Sequence, residues 1–284
     1  MSVPEVAEDL APAFGASGPR ALIVTIYGLY AREVGGWLRV SELITLMAAL
    51  GVDEPAVRSS ISRIKRQGIL EAERIDGSAG YLLSSRARQI LDEGDRRIFA
   101  RPRARLEDGW VLVLFSVPES ERSKRHTLRS RLTWLGFGTV GPGVWIAPRH
   151  LEDEIRDALD RYGLTDYVDL FRATHLGPTT TAEEVAGWWD LKALERLYAD
   201  FHAQFGPVLA SWRSRRRRDD EAEAFADYVR VLTAWRRLPY LDPGLAPEVL
   251  PRDWSGEQAA ELFFALRRRL EAPAHRFVEQ VRAG

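Results

Sequence analysis

A chain of 284 residues with 45% hydrophobic and 29% charged residues has the composition of an ordinary globular protein and the length for two or three domains. No run approaches the roughly 18 uninterrupted apolar residues of a membrane span, and the lack of cysteine excludes disulfides, thiolate zinc sites and thiol catalysis. A formal net charge of -1 excludes a uniformly basic nucleic-acid binder, so any DNA contact has to come from a local patch.

Residues 1–18 carry acids and prolines where a signal peptide needs a basic start and an apolar core; they read as a disordered tail on a cytoplasmic protein. Pro19 then opens a dense apolar helix over 19–31. A second helix runs from Ser41 as its N-cap through Leu43, Leu46, Met47 and Leu50, and Gly51 ends it. Asp53 caps a third helix almost at once, with Glu54 and Pro55 in its first turn. Two helices joined by so short a turn are the core of a helix-turn-helix.

The third helix carries the chemistry. At about 100° per residue, Val57, Ile61 and Ile64 point inward, while Ser59, Ser62, Arg63 and Arg66 point outward, flanked by Arg58 and Lys65. That outer face holds small hydroxyls and cations with no acid after Glu54. Small hydroxyls let the backbone sit close to DNA, and guanidinium forks reach phosphates or the O6/N7 edge of guanine. Runs 69–75 and 80–83 flank Asp76-Gly77-Ser78-Ala79-Gly80 as a hairpin, placed where a winged-helix domain has its wing, with Arg74 available to a phosphate. Ser84 or Ser85 caps a further helix, which leads out of the domain.

Residues 100–109 have proline, glycine and charge without periodicity and read as a linker. Beyond it come an apolar strand over 110–117 and a helix over 119–135, with Leu128, Leu132 and Leu135 inward and Arg122, Lys124, Arg125, Arg129 and Arg131 outward. Two short strands about a glycine turn (136–148), a helix (151–163) and a last strand (167–174) complete the β-α-β-β-α-β order of a ferredoxin-like fold. From residue 183 the chain reads as helical and aromatic, and Leu191, Leu194, Leu197, Tyr198, Phe201 and Phe205 form a core stripe. His126, His150, His175, His202 and His275 are scattered without close metal-ligand spacing and read as surface or capping residues, so no metal is expected.

Together three parts of the chain resemble the PaaX family of bacterial repressors, which control degradation of phenylacetate and related aromatic compounds. The first is PRALIVTIYGLYAR (19–32), LGVDEPAVRSSISRIKRQGIL (50–70) and GYLLSSRA (80–87); the second is the stretch 110–138; the third is WDLKALERLYADF (189–201) with the Leu241-Asp242-Pro243 and DWSG elements. The resemblance implies an α+β protein with a winged helix-turn-helix over 19–100, a ferredoxin-like α/β domain over 110–176 and a helical C-terminal domain over 183–284. It further implies a homodimeric repressor without catalytic residues or cofactor, whose partners are double-stranded operator DNA and an aryl-CoA or acyl-CoA effector that releases it. The chain departs from the family pattern where Ala246 and then Pro247 follow Leu245. No motif assigns the effector contacts. Residues 213–218 offer cations, and Trp188, Trp189, Trp212, Trp235 and Trp254 offer aromatic walls, though each tryptophan reads first as core.

Two rival functions follow from the middle segment. A metal-dependent nuclease on a ferredoxin-like fold wants an acid at the end of the first strand, where this chain has Phe115-Ser116-Val117. An RNA-binding adaptor would use the basic residues between Arg122 and Arg131, without the surface aromatics that single-stranded RNA stacks on.

Overall fold

The computed structural model describes residues 18–177, 181–214 and 220–284. They form a mixed helical and sheet structure in two compact units. One unit comprises the chain up to Asp95 together with Ala199–Arg237 and Glu257–Gly284; the other comprises Arg96–Tyr198 with Leu238–Gly256. The helical segment after residue 183 therefore contributes to both. The tail 1–17 and the basic residues 215–218 lie outside the described residues.

Helix α1 (Pro19–Ile26) starts at its proline and buries Ala21, Ile23, Val24 and Ile26, and a wider turn continues it over Tyr27–Ala31. A three-residue strand β1 (Trp37–Arg39), which no sequence signal announces, precedes α2 (Val40–Ala49). Ser41 is not the cap expected of it. The Arg39 N–H donates to the Glu42 carboxylate at 2.9 Å, so the helix starts earlier and Ser41 sits inside its first turn. Gly51, at φ 76, ends the helix as expected. In α3 (Glu54–Arg66) the Asp53 carboxylate accepts from the Ala56 N–H at 2.8 Å. Strands β2 (Leu70–Ile75) and β3 (Ser78–Leu83) meet at Asp76-Gly77, whose φ values of 50 and 77 suit the two-residue turn that matches strand twist. The sheet order is β1-β3-β2, and α4 (Ser85–Asp95) follows, with the Ser84 hydroxyl accepting from the Ala87 N–H.

The second unit begins with the stretch expected to be a solvated linker. Instead it runs along residues 242–245: the Ala104 N–H donates to the Gly244 carbonyl at 2.7 Å, Arg103 donates to the Leu245 carbonyl at 3.3 Å, and Arg101 lies 3.5 Å from the Asp242 carboxylate. Strands β4 (Trp110–Phe115), β5 (Gly138–Gly141), β6 (Val144–Pro148) and β7 (Val168–Ala173) form an antiparallel sheet in the order β5-β6-β4-β7. Helices α5 (Arg122–Trp134) and α6 (Glu152–Tyr162) lie between them in sequence and pack on one face, where Val111, Val113 and Trp145 meet Leu128, Leu132, Ile155 and Leu159. On the other face Leu112 stands opposite Phe171, which is 51% exposed. Arg131 departs from its expected outward position. It sits three residues after Leu128 at the edge of the buried stripe, and its guanidinium lies 4.4 Å from the Tyr162 ring centre, where the aromatic face compensates the buried charge. His150 is partly buried and not on the open surface, and that burial with the Arg97 and Arg96 charges pushes its pKa down to about 4.

Four helices complete the chain after α7 (Thr181–Trp188): α8 (Leu191–Ser214), α9 (Glu221–Trp235), the short α10 (Leu238–Leu241) and α11 (Gly256–Ala283). In the first unit α9 packs on α1: the Thr25 and Thr233 hydroxyls share a 2.7 Å hydrogen bond, and Arg236 donates to the Ala21 carbonyl at 3.2 Å. Trp235 is fully buried, stacked on Phe263 at 4.7 Å, and the Trp212 indole N–H donates to Asp227. In the second unit Trp189 donates to the Gly136 carbonyl and Trp254 meets the Tyr198 ring edge-on. These four tryptophans are packing residues. The expected stripe on α8 is buried at Leu191, Leu194, Tyr198, Phe201 and Phe205 and half-buried at Leu197. Among the described residues no helix is long and apolar enough to cross a membrane.

Two stability predictions follow from close packing and from buried charge. At Gly80 a Cβ would run into the Trp37 ring and the Leu38 carbonyl of β1, so Gly80→Ala should destabilise by about 1–3 kcal/mol in urea unfolding, as overpacking does. His150 has its pKa lowered from 6.5 to about 4, so between those values the unfolded chain holds the proton and the folded chain does not. Its contribution is therefore complete above pH 6.5 and is lost as pH falls to 4, by at most about 3 kcal/mol. Urea midpoints at pH 7 and 4.5 should draw closer together in His150→Asn; an unchanged gap would contradict the burial described.

Candidate nucleic-acid interface

Helix α3 is held by its apolar side. Val57, Ile61 and Ile64 are buried as the spacing requires, and Ser60 is buried with them. Arg58, Ser59, Ser62, Arg63, Lys65 and Arg66 are all exposed. The only acid on the helix, Glu54, accepts from the Arg58 Nε at 2.7 Å, an exposed i,i+4 pair that is worth less than about 1 kcal/mol and opens readily for a stronger partner.

The fold brings four of these side chains into one groove. Arg58, Ser62, Lys65 and Arg66 line it with Ile61, Val40 from the start of α2 and Tyr81 from β3. The Lys65 ammonium stands 5.7 Å from the centre of the Tyr81 ring, and the Tyr27 hydroxyl donates to the Tyr81 carbonyl at 2.9 Å, tying the strand to α1's continuation. Ser59 and Arg63 are exposed on the same helix but stand outside the groove lining. Tyr81 escaped the sequence reading. Its alternation with Leu83 marks it as inward, and only the strand register reveals that this inward direction leads to Lys65.

Arg74 is exposed on the hairpin, and the pairing of Ala72 with Tyr81 and of Arg74 with Ala79 puts it on the Tyr81 face of the sheet. Glu71 and Glu73 alternate with it and take the opposite face. The hairpin thus separates its charges, leaving the acids off the side that bears the groove. A lysine ammonium and arginine forks beside a small hydroxyl and an aromatic ring form a surface able to bind phosphates and to reach base edges.

The basic residues of α5 are largely engaged. On α5, Lys124 bonds to the Tyr167 hydroxyl at 2.5 Å and to Glu121, Arg125 bonds to Glu119 and the Val117 carbonyl, and Arg131 is buried, which leaves Arg122 and Arg129 exposed. Among the described residues no group of three or more His, Asp or Glu side chains is placed to hold a metal ion.

Three family descriptions match consecutive parts of the chain: "PaaX-like protein" over residues 18–87, "PaaX protein central Cas2-like domain" over 103–185 and "PaaX-like protein C-terminal domain" over 189–280. A curated relative, the transcriptional repressor PaaX of Escherichia coli (strain K12), is 26% identical over 266 residues, covering 92% of this chain and 83% of that protein. A solved structure of an uncharacterized protein from Mycobacterium tuberculosis shares 24% identity, with a TM-score of 0.49 over 86% of this chain and 99% of that one. The three segments span the described fold from α1 to α11, and the chain belongs to the PaaX family.

Proposed function

We propose that this chain is a DNA-binding transcriptional repressor, acting in the cytoplasm on an aromatic-acid operon of the phenylacetate type. The observation that carries the reading is the outer face of α3, cationic and free of acids beyond Glu54, beside the groove closed by Tyr81. The relative named as a transcriptional repressor supports it. In this reading residues 19–100 are a winged helix-turn-helix: α2 and α3 are its helix pair and β2-β3 its wing. Arg58, Ser59, Ser62, Arg63, Lys65 and Arg66 meet the major groove and Arg74 a neighbouring backbone. Residues 110–176 are a ferredoxin-like domain, and residues 183–284 a helical C-terminal part. The chain acts as a homodimer, for which the half-open sheet face with Leu112 and Phe171 offers apolar surface. Its effector is an aryl-CoA or acyl-CoA thioester. A nuclease reading has little support: β4 ends at Phe115 and runs into Ser116 and Val117, none of which can ligate a metal through a carboxylate.

On operator DNA, Arg63→Ala or Arg66→Ala should cost about 1–3 kcal/mol and relax sequence preference at the contacted base pair, if a guanine edge is the partner. Arg74→Ala should weaken binding to all sequences alike and lower the slope of log affinity against log salt by about one. Fluorescence anisotropy over a salt series reads both, and parental affinity in all three variants would refute the placement.

Phenylacetyl-CoA should weaken operator binding while phenylacetate and free CoA leave it unchanged. A tenfold loss of affinity corresponds to about 1.4 kcal/mol of coupling between the two sites. Release by the free acid and not by the thioester would overturn the effector class and leave the DNA reading intact.

A further inference from the structure

The groove beside α3 holds one polar group to which the DNA reading gives no part, the Tyr81 hydroxyl. Other tyrosine hydroxyls serve the fold: Tyr27 donates to the Tyr81 carbonyl, Tyr198 to Asp242 and Tyr228 to Glu271, and Tyr167 lies 2.5 Å from the Lys124 ammonium. Tyr81 is half-buried; its hydroxyl makes no hydrogen bond among the described residues, yet it is not sealed from solvent. Water can serve it in the free protein, so it stays available to a better acceptor.

Cations flank it on two sides. The Lys65 ammonium stands 5.7 Å from the centre of the ring. On the hairpin, Ala72 pairs with Tyr81 and Arg74 with Ala79, so Arg74 is a diagonal neighbour of Tyr81 on the same face, at a spacing of about 7–8 Å that long side chains bridge. Glu71 and Glu73 take the opposite face. A hydroxyl so placed donates best to an anion, and the position of the groove says which one. An α-helix with its side chains is about 10–12 Å across and the major groove of DNA about 12 Å wide, so a helix that turns its outer face to base edges has the groove walls along its flanks. Those walls are sugar-phosphate backbone. Tyr81 stands on β3, at the flank of α3, whereas Ser59 and Arg63 lie outside the groove lining.

We propose that Tyr81 contacts DNA directly: its hydroxyl donates to a backbone phosphate that the Lys65 ammonium also grips, and its ring holds the Lys65 side chain against the sheet. The inference rests on the DNA reading and deepens it by adding a contact from outside the helix pair. It also divides the labour, since phosphate contacts set the register of a protein on the duplex and carry no sequence information directly. Lys65 and Tyr81 position the duplex, and Arg63 is left to read it.

The experiment is fluorescence anisotropy of the full chain on the operator duplex and on an unrelated duplex of equal length, over a salt series. The parent is compared with Tyr81→Phe, Lys65→Gln and the double variant. Tyr81→Phe is expected to weaken both duplexes alike, about three- to tenfold, with the salt slope unchanged because no charge is removed. Lys65→Gln should lower that slope by about one. The double variant should lose less than the product of the two single losses, because both groups grip one phosphate. Tyr81→Phe removes an atom that bonds to nothing in the fold, so its Tm without DNA should match the parent's; a lowered Tm would show that the hydroxyl serves the fold and would overturn the proposal. Parental affinity in Tyr81→Phe, a loss confined to the operator, or single losses that multiply in the double variant would overturn it too. In those cases a loss of sequence preference in Arg63→Ala would keep the DNA reading standing. Failure of the parent to bind either duplex would overturn that reading and this contact together.

Discussion

The packing of α9 on α1 is the constraint on which the cationic face of α3 depends. An eight-residue helix has no stability of its own in water, and α1 buries most of its side chains. Its exposed flank is closed from more than two hundred residues away, by the Thr25–Thr233 hydroxyl bond and by Arg236 on the Ala21 carbonyl. Arg230 makes a third tie, donating to the Leu50 carbonyl at the end of α2 at 3.1 Å. Since α1 and α2 are the elements that α3 packs against, the orientation of the cationic face is set by residues that never approach it. Substitutions in α9 should therefore be felt at the groove through geometry.

Charge separation does the rest. A chain of net charge -1 attracts DNA only if its cations are concentrated and its acids kept away. Alternation along β2 achieves this on one strand, with Arg74 on the Tyr81 face and Glu71 and Glu73 on the other. On α3 the helical period puts the cations outward, and the only acid, Glu54, stays in the first turn beside the free N–H groups, paired with Arg58.

What the sequence reveals tracks how local the cause is. The inward set Val57, Ile61, Ile64 and the outward cations of α3 are legible because one helix period decides both, and the turn at Asp76-Gly77 because two positive φ angles demand those residues. β1 is not legible, since three residues carry no period and Trp37, Leu38 and Arg39 form a strand only because β3 offers an edge. Ser41 misled because a cap is recognised by type, whereas Glu42 reaching back to Arg39 outcompetes it. The stretch 100–109 looked solvated because its arginines find carbonyls and a carboxylate that are distant in sequence. Apolar spacing in the last hundred residues announces that faces are buried without naming what covers them, so the contribution of α9 to the first unit was out of reach. Of the groove, the helix side was readable and Tyr81 was not.

The interleaved construction bears on how the chain is made. During synthesis most domains close as they emerge, at about 5–20 residues per second, and the elements up to Asp95 carry the whole of the α3 face. Their core, however, is completed by Ala199–Arg237 and by residues after Glu257. A ribosome needs on the order of 10–40 s to deliver that stretch, and during it α1 presents Ile23, Val24 and Ile26 without their cover. The sheet of the second unit has all its strands by Ala173 and is able to pair first. The nascent chain thus spends its longest interval with its N-terminal apolar surface open, the period in which a chaperone that holds such surfaces has most to do.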